Sequence, residues 1–183
     1  STGQERLFQV DIGSGETLRI LVTVGDSQAT TEVYVRFDEA PTGFNYEAAP
    51  ESNLSANLAA IIPTTQQGRY YVLVRGHSVP GGSSSITVKA EKMPLSITGV
   101  RTDVGGDSRY VTTTIRGARF QSGATVRLIR PDIAAYTPKE WSVLDATTIR
   151  ATFDLSDAPH GLYDVVVTNP DGSSAIIPYR FLV

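Results

Sequence analysis

Apolar and polar residues alternate along this chain in short runs bounded by glycine and proline. In the first half, residues 18–24 (Leu18, Ile20, Val22 and Val24 on one side), 32–37, 70–75 and 85–90 each follow a period of two. Such runs predict half-buried β-strands. Gly13-Ser14-Gly15, Gly25-Asp26, Gly68 and Pro80-Gly81-Gly82 lie between them and supply the backbone angles that reversals need. The polar stretch from Ala40 to Asn57, with Pro41 and Pro50, is expected to be the longest loop. The second half repeats the style at residues 95–100, 110–116, 125–129, 141–144, 148–153, 162–168 and 176–183. About seven strands in some ninety residues is the count of an immunoglobulin-like sandwich. Asn169-Pro170-Asp171-Gly172 reads as a tight turn, with proline presetting φ at its second position, and should join the last two strands as a hairpin.

Between the halves the alternation breaks at Glu91-Lys92-Met93-Pro94, and Pro94 favours an extended start to the next strand. The expected organisation is therefore all-β: two tandem β-sandwiches over residues 1–93 and 94–183, the first jelly-roll-like and the second immunoglobulin-like. The length agrees, since 183 residues exceed one typical domain of roughly 100–150 residues.

Composition narrows function. Apolar residues make up 40% and charged residues 19%, enough to build cores and too few charges for a disordered chain. The formal net charge is −3, with seven Lys and Arg against ten Asp and Glu up to Met93 and nine against nine after it. Neither half offers the basic surface that a nucleic-acid partner requires. The absence of cysteine excludes disulfides, thiolate metal sites and cysteine nucleophiles. No run approaches the ~20 apolar residues of a helical membrane span, so no membrane insertion is expected. The start at Ser1, without methionine or a signal peptide, leads us to expect a mature product or an excised piece.

Residues that carry a family resemblance cluster in the second half: Ile97 and Val100, Thr114 to Phe120 around Gly117, Ser122-Gly123-Ala124-Thr125-Val126, Ala146-Thr147-Thr148-Ile149, and Gly161 through Gly172. Together they resemble the IPT/TIG family of immunoglobulin-like domains. Two places depart from it, the opening loop at Thr102 to Ser108 and the longer stretch from Arg130-Pro131 to Lys139-Glu140. The first half is similar to the bacterial pre-peptidase C-terminal (PPC) family through Phe8-Gln9-Val10, residues 18–24, Val33-Tyr34-Val35, Gly68 to Gly76 and Ile86-Thr87-Val88. These resemblances imply an extracellular or cell-surface module of a larger bacterial protein, with a periplasmic setting as the alternative.

Catalytic chemistry finds little support. There is no Gly-x-Ser-x-Gly elbow, and the two histidines, His77 and His160, lie beside glycines in expected turns of different domains. Acidic residues fall mostly in turns. No cofactor is expected; the one metal the loops allow is a structural calcium, through Glu39 and Glu47 with Asn45, through Asp103 with Asp107, or through Asp154 with Asp157. Most aromatic residues lie in strands, so Tyr34, Tyr70, Tyr163 and Phe181 are expected in or beside the core. Phe44 and Tyr46 in the long loop, and Tyr136 and Trp141 in or after the stretch that follows Arg130, are the candidate exposed contacts. Arg116, Arg119, Arg127, Arg130 and Arg150 read as a solvated face, and the three lysines, Lys89, Lys92 and Lys139, are expected near strand ends or loops. Asn53-Leu54-Ser55 fits a glycosylation acceptor.

The function expected is a non-catalytic interaction or spacer module of a secreted or surface protein. Its partners would be neighbouring domains or an extracellular protein or polysaccharide, with self-association through open sheet edges as a further route. The alternative is a ligand-binding accessory region of a secreted hydrolase, recognising carbohydrate or matrix protein.

Overall fold

The alternating runs pair into antiparallel ladders, and their apolar sides face one another across two sandwiches. The structure, a computed structural model, describes residues 1–52, 54–107 and 109–183. The chain divides into two compact units, Ser1–Lys92 and Met93–Val183.

The first unit contains β1 (Glu5–Ile12), β2 (Thr17–Val24), β3 (Thr30–Phe37), β4 (Asn57–Ile62), β5 (Gly68–Ser78) and β6 (Ile86–Met93). One sheet has the order β1-β5-β3 and the other β4-β2-β6. Successive strands thus alternate between the sheets, which is the jelly-roll-like pattern. Period two sends Leu18, Ile20 and Val22 of β2 inward to meet Val33 and Val35 of β3 and Tyr70, Val72 and Val74 of β5. Each fully buried Leu, Ile or Val contributes roughly 1.5–3 kcal/mol to folding before entropy is counted. Tyr70 keeps its polar end satisfied by accepting a hydrogen bond from the Gln66 N–H at 3.0 Å. At one end of the sandwich the Thr65 hydroxyl donates to Gly13 O (2.6 Å) and accepts from Glu16 N (3.1 Å), tying two turns together.

The second unit contains β7 (Ser96–Arg101), β8 (Tyr110–Ala118), β9 (Thr125–Arg130), β10 (Ala134–Tyr136), β11 (Glu140–Asp145), β12 (Thr148–Asp154), β13 (Leu162–Thr168) and β14 (Ser174–Leu182). Its sheets have the orders β11-β12-β8-β7 and β10-β9-β13-β14. In immunoglobulin lettering these are D-E-B-A and C′-C-F-G, so the fold is immunoglobulin-like by topology. Ile115, Leu128, Ile149, Phe153, Leu155, Tyr163, Val165 and Phe181 are buried between the sheets. At the start of the F strand the Tyr163 hydroxyl donates to Pro159 O, four residues back, at 2.8 Å. That is the tyrosine corner of Greek-key sandwiches.

The Asn169 to Gly172 turn closes the β13–β14 hairpin, with Gly172 N–H donating to Asn169 O at 3.0 Å. The buried Asn169 side chain does more than the turn requires: its amide donates to Arg119 O and its carbonyl accepts from Gln121 N, both at 3.0 Å. One asparagine thereby holds the F–G turn to the segment that follows β8.

Several expectations are corrected. Residues 57–62 form β4, whose inward Leu58, Ala60 and Ile62 alternate with Asn57, Ala59 and Ile61; alanine and isoleucine on the outward side hid the period. β10 lies in the stretch after Arg130, giving eight strands among the described residues of the second unit where about seven were expected. Lys89 stands in the middle of β6, ion-paired to Glu91 at 2.6 Å, and His77 belongs to β5. The glycosylation tripeptide begins at Asn53, which lies outside the described residues.

Candidate functional site

The outer face of the β1-β5-β3 sheet carries an apolar row. Register places Leu7 opposite Leu73, and Leu73 opposite Tyr34. Directly opposed residues share a face, so these three side chains form one stripe across all three strands. Leu7 is 51% exposed. The segment after β3 crosses the end of this stripe, and Pro41, Thr42 and Gly43 wall a groove of about 320 Å³ over Leu7 and Leu73.

The groove has a rigid lip. Thr42 and Asn45 exchange both backbone hydrogen bonds, at 3.0 and 3.3 Å, closing a two-residue turn at Gly43-Phe44. The Thr42 hydroxyl also accepts from Asn45 N–H at 3.1 Å. Phe44 sits on this turn at 102% exposure, the highest of the exposed large hydrophobic side chains among the described residues. Tyr46 folds back so that its ring lies 5.1 Å from that of Tyr34, tilted by 42°. Burial, followed by the neighbouring Glu32 charge, pushes the Tyr34 phenol above its ordinary range. The phenol donates to Glu32 at 3.4 Å, and the His77 ring lies 3.2 Å from the same carboxylate. Of the four candidate aromatic residues, Phe44 and Tyr46 are therefore brought together at one apolar surface.

Tyr136 and Trp141 fall on different sheets of the second unit. Tyr136, on β10, is partly buried and meets Tyr163 edge-on at 6.0 Å. Trp141, on the edge strand β11, is 46% exposed and donates its indole N–H to Ala124 O at 2.9 Å.

Five of the six acidic residues considered for calcium, all but Asp157, have protein partners among the described residues. Glu39 pairs with Arg36 at 2.6 Å, and Glu47 accepts from Phe37 N–H at 3.2 Å. Asn45 uses its backbone on Thr42. Asp103 pairs with Arg180 at 3.3 Å and Asp107 with His160 at 3.0 Å. Asp154 accepts from the N–H and hydroxyl of Ser156, which hold its carboxyl below the usual range. Among the described residues no three His, Cys, Asp or Glu side chains gather as a metal would require. Nor is either histidine ring hydrogen-bonded to a serine or threonine hydroxyl among those residues; each faces a carboxylate alone.

Leu7, Leu73, Tyr34 and Pro41 were not anticipated as site residues. The signal was present: residues 70–74 are apolar at every position, so β5 must be apolar on both faces.

No family model matches the chain. A stretch of 84 residues, 46% of the chain, is 31% identical to alkaline serine exoprotease A of Vibrio alginolyticus and covers 15% of that protein. Among solved structures, a GH2 beta-galacturonidase from Eisenbergiella tayi aligns with 97% of this chain and 36% of its own, at 10% identity and a TM-score of 0.39. The BSP domain of a biofilm-associated protein aligns with 98% of this chain and 48% of its own, at 7% identity and a TM-score of 0.32. The adhesin domain of Epf from Streptococcus pyogenes aligns with 97% of this chain and 73% of its own, at 10% identity and a TM-score of 0.31. These scores lie below that of a shared fold, and the all-β architecture rests on the chain's own strand pairing.

Proposed function

We propose that this chain is a non-catalytic interaction and spacer region of a larger secreted or cell-surface bacterial protein, docking a protein partner through the Phe44 lip and the groove beneath it. The observation that carries this reading is Phe44 itself. A phenylalanine exposed over its whole surface contributes nothing to the core, yet the turn beneath it is fixed by four hydrogen bonds and borders an apolar stripe. A rigid aromatic anchor beside an apolar groove is the arrangement that protein partners bury as a hot spot. The first unit is read as a PPC-like domain and the second as an IPT/TIG domain. No cofactor or calcium is needed in this reading. Further association through the edge strands β6 and β11 belongs to the same proposal.

The partial likeness to an exoprotease supports a second reading, an accessory segment of a secreted hydrolase that holds carbohydrate or matrix protein. The test is binding of the 183-residue chain to the remaining domains of its parent protein and to insoluble polysaccharides. Phe44→Ala is expected to weaken binding to a protein partner at least tenfold without moving the melting temperature. Retention on one polymer, lost in Tyr136→Ala or Trp141→Ala, supports the second reading. Turnover of a peptide or glycoside substrate, abolished by His77→Ala or His160→Ala, overturns both.

A further inference from the structure

A second concavity in the first unit has different chemistry. It occupies about 380 Å³ between the two sheets, and the edge strands β1 and β6 both contribute to it. Its apolar lining comes from Phe8, Val24, Val74, Val79 and Ile86, and polar residues, Arg6 and Ser85 among them, make up about half of the wall. The wall nearest residue 2 is fixed, because Val79 N–H donates to the Thr2 hydroxyl at 2.9 Å and Gly3 N–H to Gly76 O at 2.7 Å.

Arg6 is out of place in this setting. On β1, Phe8 opposes Val72 and Val10 opposes Tyr70, which sets the inward side of the strand. By the same period Arg6, opposite the buried Val74, stands on the inward side, where a sandwich ordinarily places an apolar residue. The first unit has seven Lys and Arg residues. Arg19, Arg36, Arg69, Arg75, Lys89 and Lys92 each form an ion pair with a carboxylate. Among the described residues Arg6 is the only one of the seven without such a partner, in a unit that carries more acidic than basic groups. Arg6 is exposed, so its guanidinium stands at the open side of a cavity of mixed lining, and an unpaired guanidinium beside an apolar wall is a receptor for a carboxylate, which it grips through two parallel N–H donors. The volume falls within the range of small-molecule sites.

We propose that this cavity binds a carboxylate carried on an apolar body, with the carboxylate on Arg6 and the body against Phe8, Val74, Val79 and Ile86. The site is separate from the Phe44 groove and stands independently of it. Two sources supply such a ligand, a free organic acid and the C-terminal residue of a polypeptide.

The experiment is an amide chemical-shift titration of the 183-residue chain with 4-methylpentanoate, its neutral amide 4-methylpentanamide, and N-acetyl-leucine. Both acids are expected to shift the amides of Phe8, Val74, Gly76 and Ile86, and 4-methylpentanoate to bind at least tenfold tighter than 4-methylpentanamide. Tighter binding of N-acetyl-leucine identifies a polypeptide terminus; equal or weaker binding identifies a free acid. Arg6→Gln should abolish the preference for acid over amide while leaving the amide's own weak binding intact, which shows that the cavity survives. Absence of shifts at these positions, equal binding of acid and amide, or acid binding unchanged in Arg6→Gln overturns the proposal and leaves Arg6 as a charge that guards the β1 edge.

Discussion

Thr113 offers a test of how this fold handles polar groups. It lies on the inward side of β8, opposite the buried Ala151, and is 1% exposed. Among the described residues its hydroxyl is the one buried side-chain polar atom with no hydrogen-bond partner. Burying a hydroxyl without a partner costs roughly 1–3 kcal/mol on the scale of protein mutations. Valine has nearly the same shape, is equally at home in a strand, and removes the hydroxyl. Thr113→Val is therefore expected to stabilise the second unit by about 1–2 kcal/mol. For a unit of this size that corresponds to a rise in melting temperature of roughly 4–8 °C per kcal/mol. Differential scanning calorimetry of the whole chain reads this directly. An upward shift confined to one transition is the expected result. A loss of stability of 0.5 kcal/mol or more would refute the reasoning, because it would mean that the hydroxyl is satisfied by a buried water whose bonds valine cannot replace.

The opposite sign is expected at Tyr163→Phe, which keeps the buried ring but removes the donor to Pro159 O; the loss should be about 0.5–1.5 kcal/mol, seen as a fall in the same transition. Burial pushes the Tyr163 phenol above its usual 10.0. A raised folded-state pKa means stability that is complete below about pH 10 and declines as pH rises through the folded value, so Tyr163→Phe should blunt alkaline destabilisation in melts recorded from pH 9 to 11. A Cβ at Gly117 would overlap Ser96 O and the Phe120 ring, so Gly117→Ala should cost about 1–3 kcal/mol by urea unfolding. The Asp171 carboxyl is held below its usual range by Ser173, with a smaller contribution from Gln121, so its contribution is present above the unfolded value and disappears as pH falls through the folded one. Asp171→Asn should flatten the acid limb of the melting curve below pH 4. Chelator and calcium are expected to leave every transition in place, because five of the six carboxylates considered for the metal are engaged by protein donors and no three such ligands gather among the described residues; a calcium-dependent rise in one transition would overturn that.

Fold class and most strand positions were legible in the sequence, because period-two burial is a local property that Leu18-Arg19-Ile20 or Thr125-Val126-Arg127-Leu128 displays without reference to partners. So was the Asn169 turn, whose φ preferences are intrinsic to proline and glycine. Strand β4 was less legible, since an outward face of alanine and isoleucine erases the contrast on which the pattern depends. Which strands become neighbours is settled by long-range pairing. Register across β1, β5 and β3 aligns Leu7, Leu73 and Tyr34 from residues up to 66 positions apart into one stripe. The same pairing sets Arg6 on the inward side beside Val74 and Ile86, and it leaves Thr113 unsatisfied while Tyr163 finds Pro159. A residue's own chemistry states what it can bind; long-range pairing, which no short window of sequence contains, decides what stands beside it.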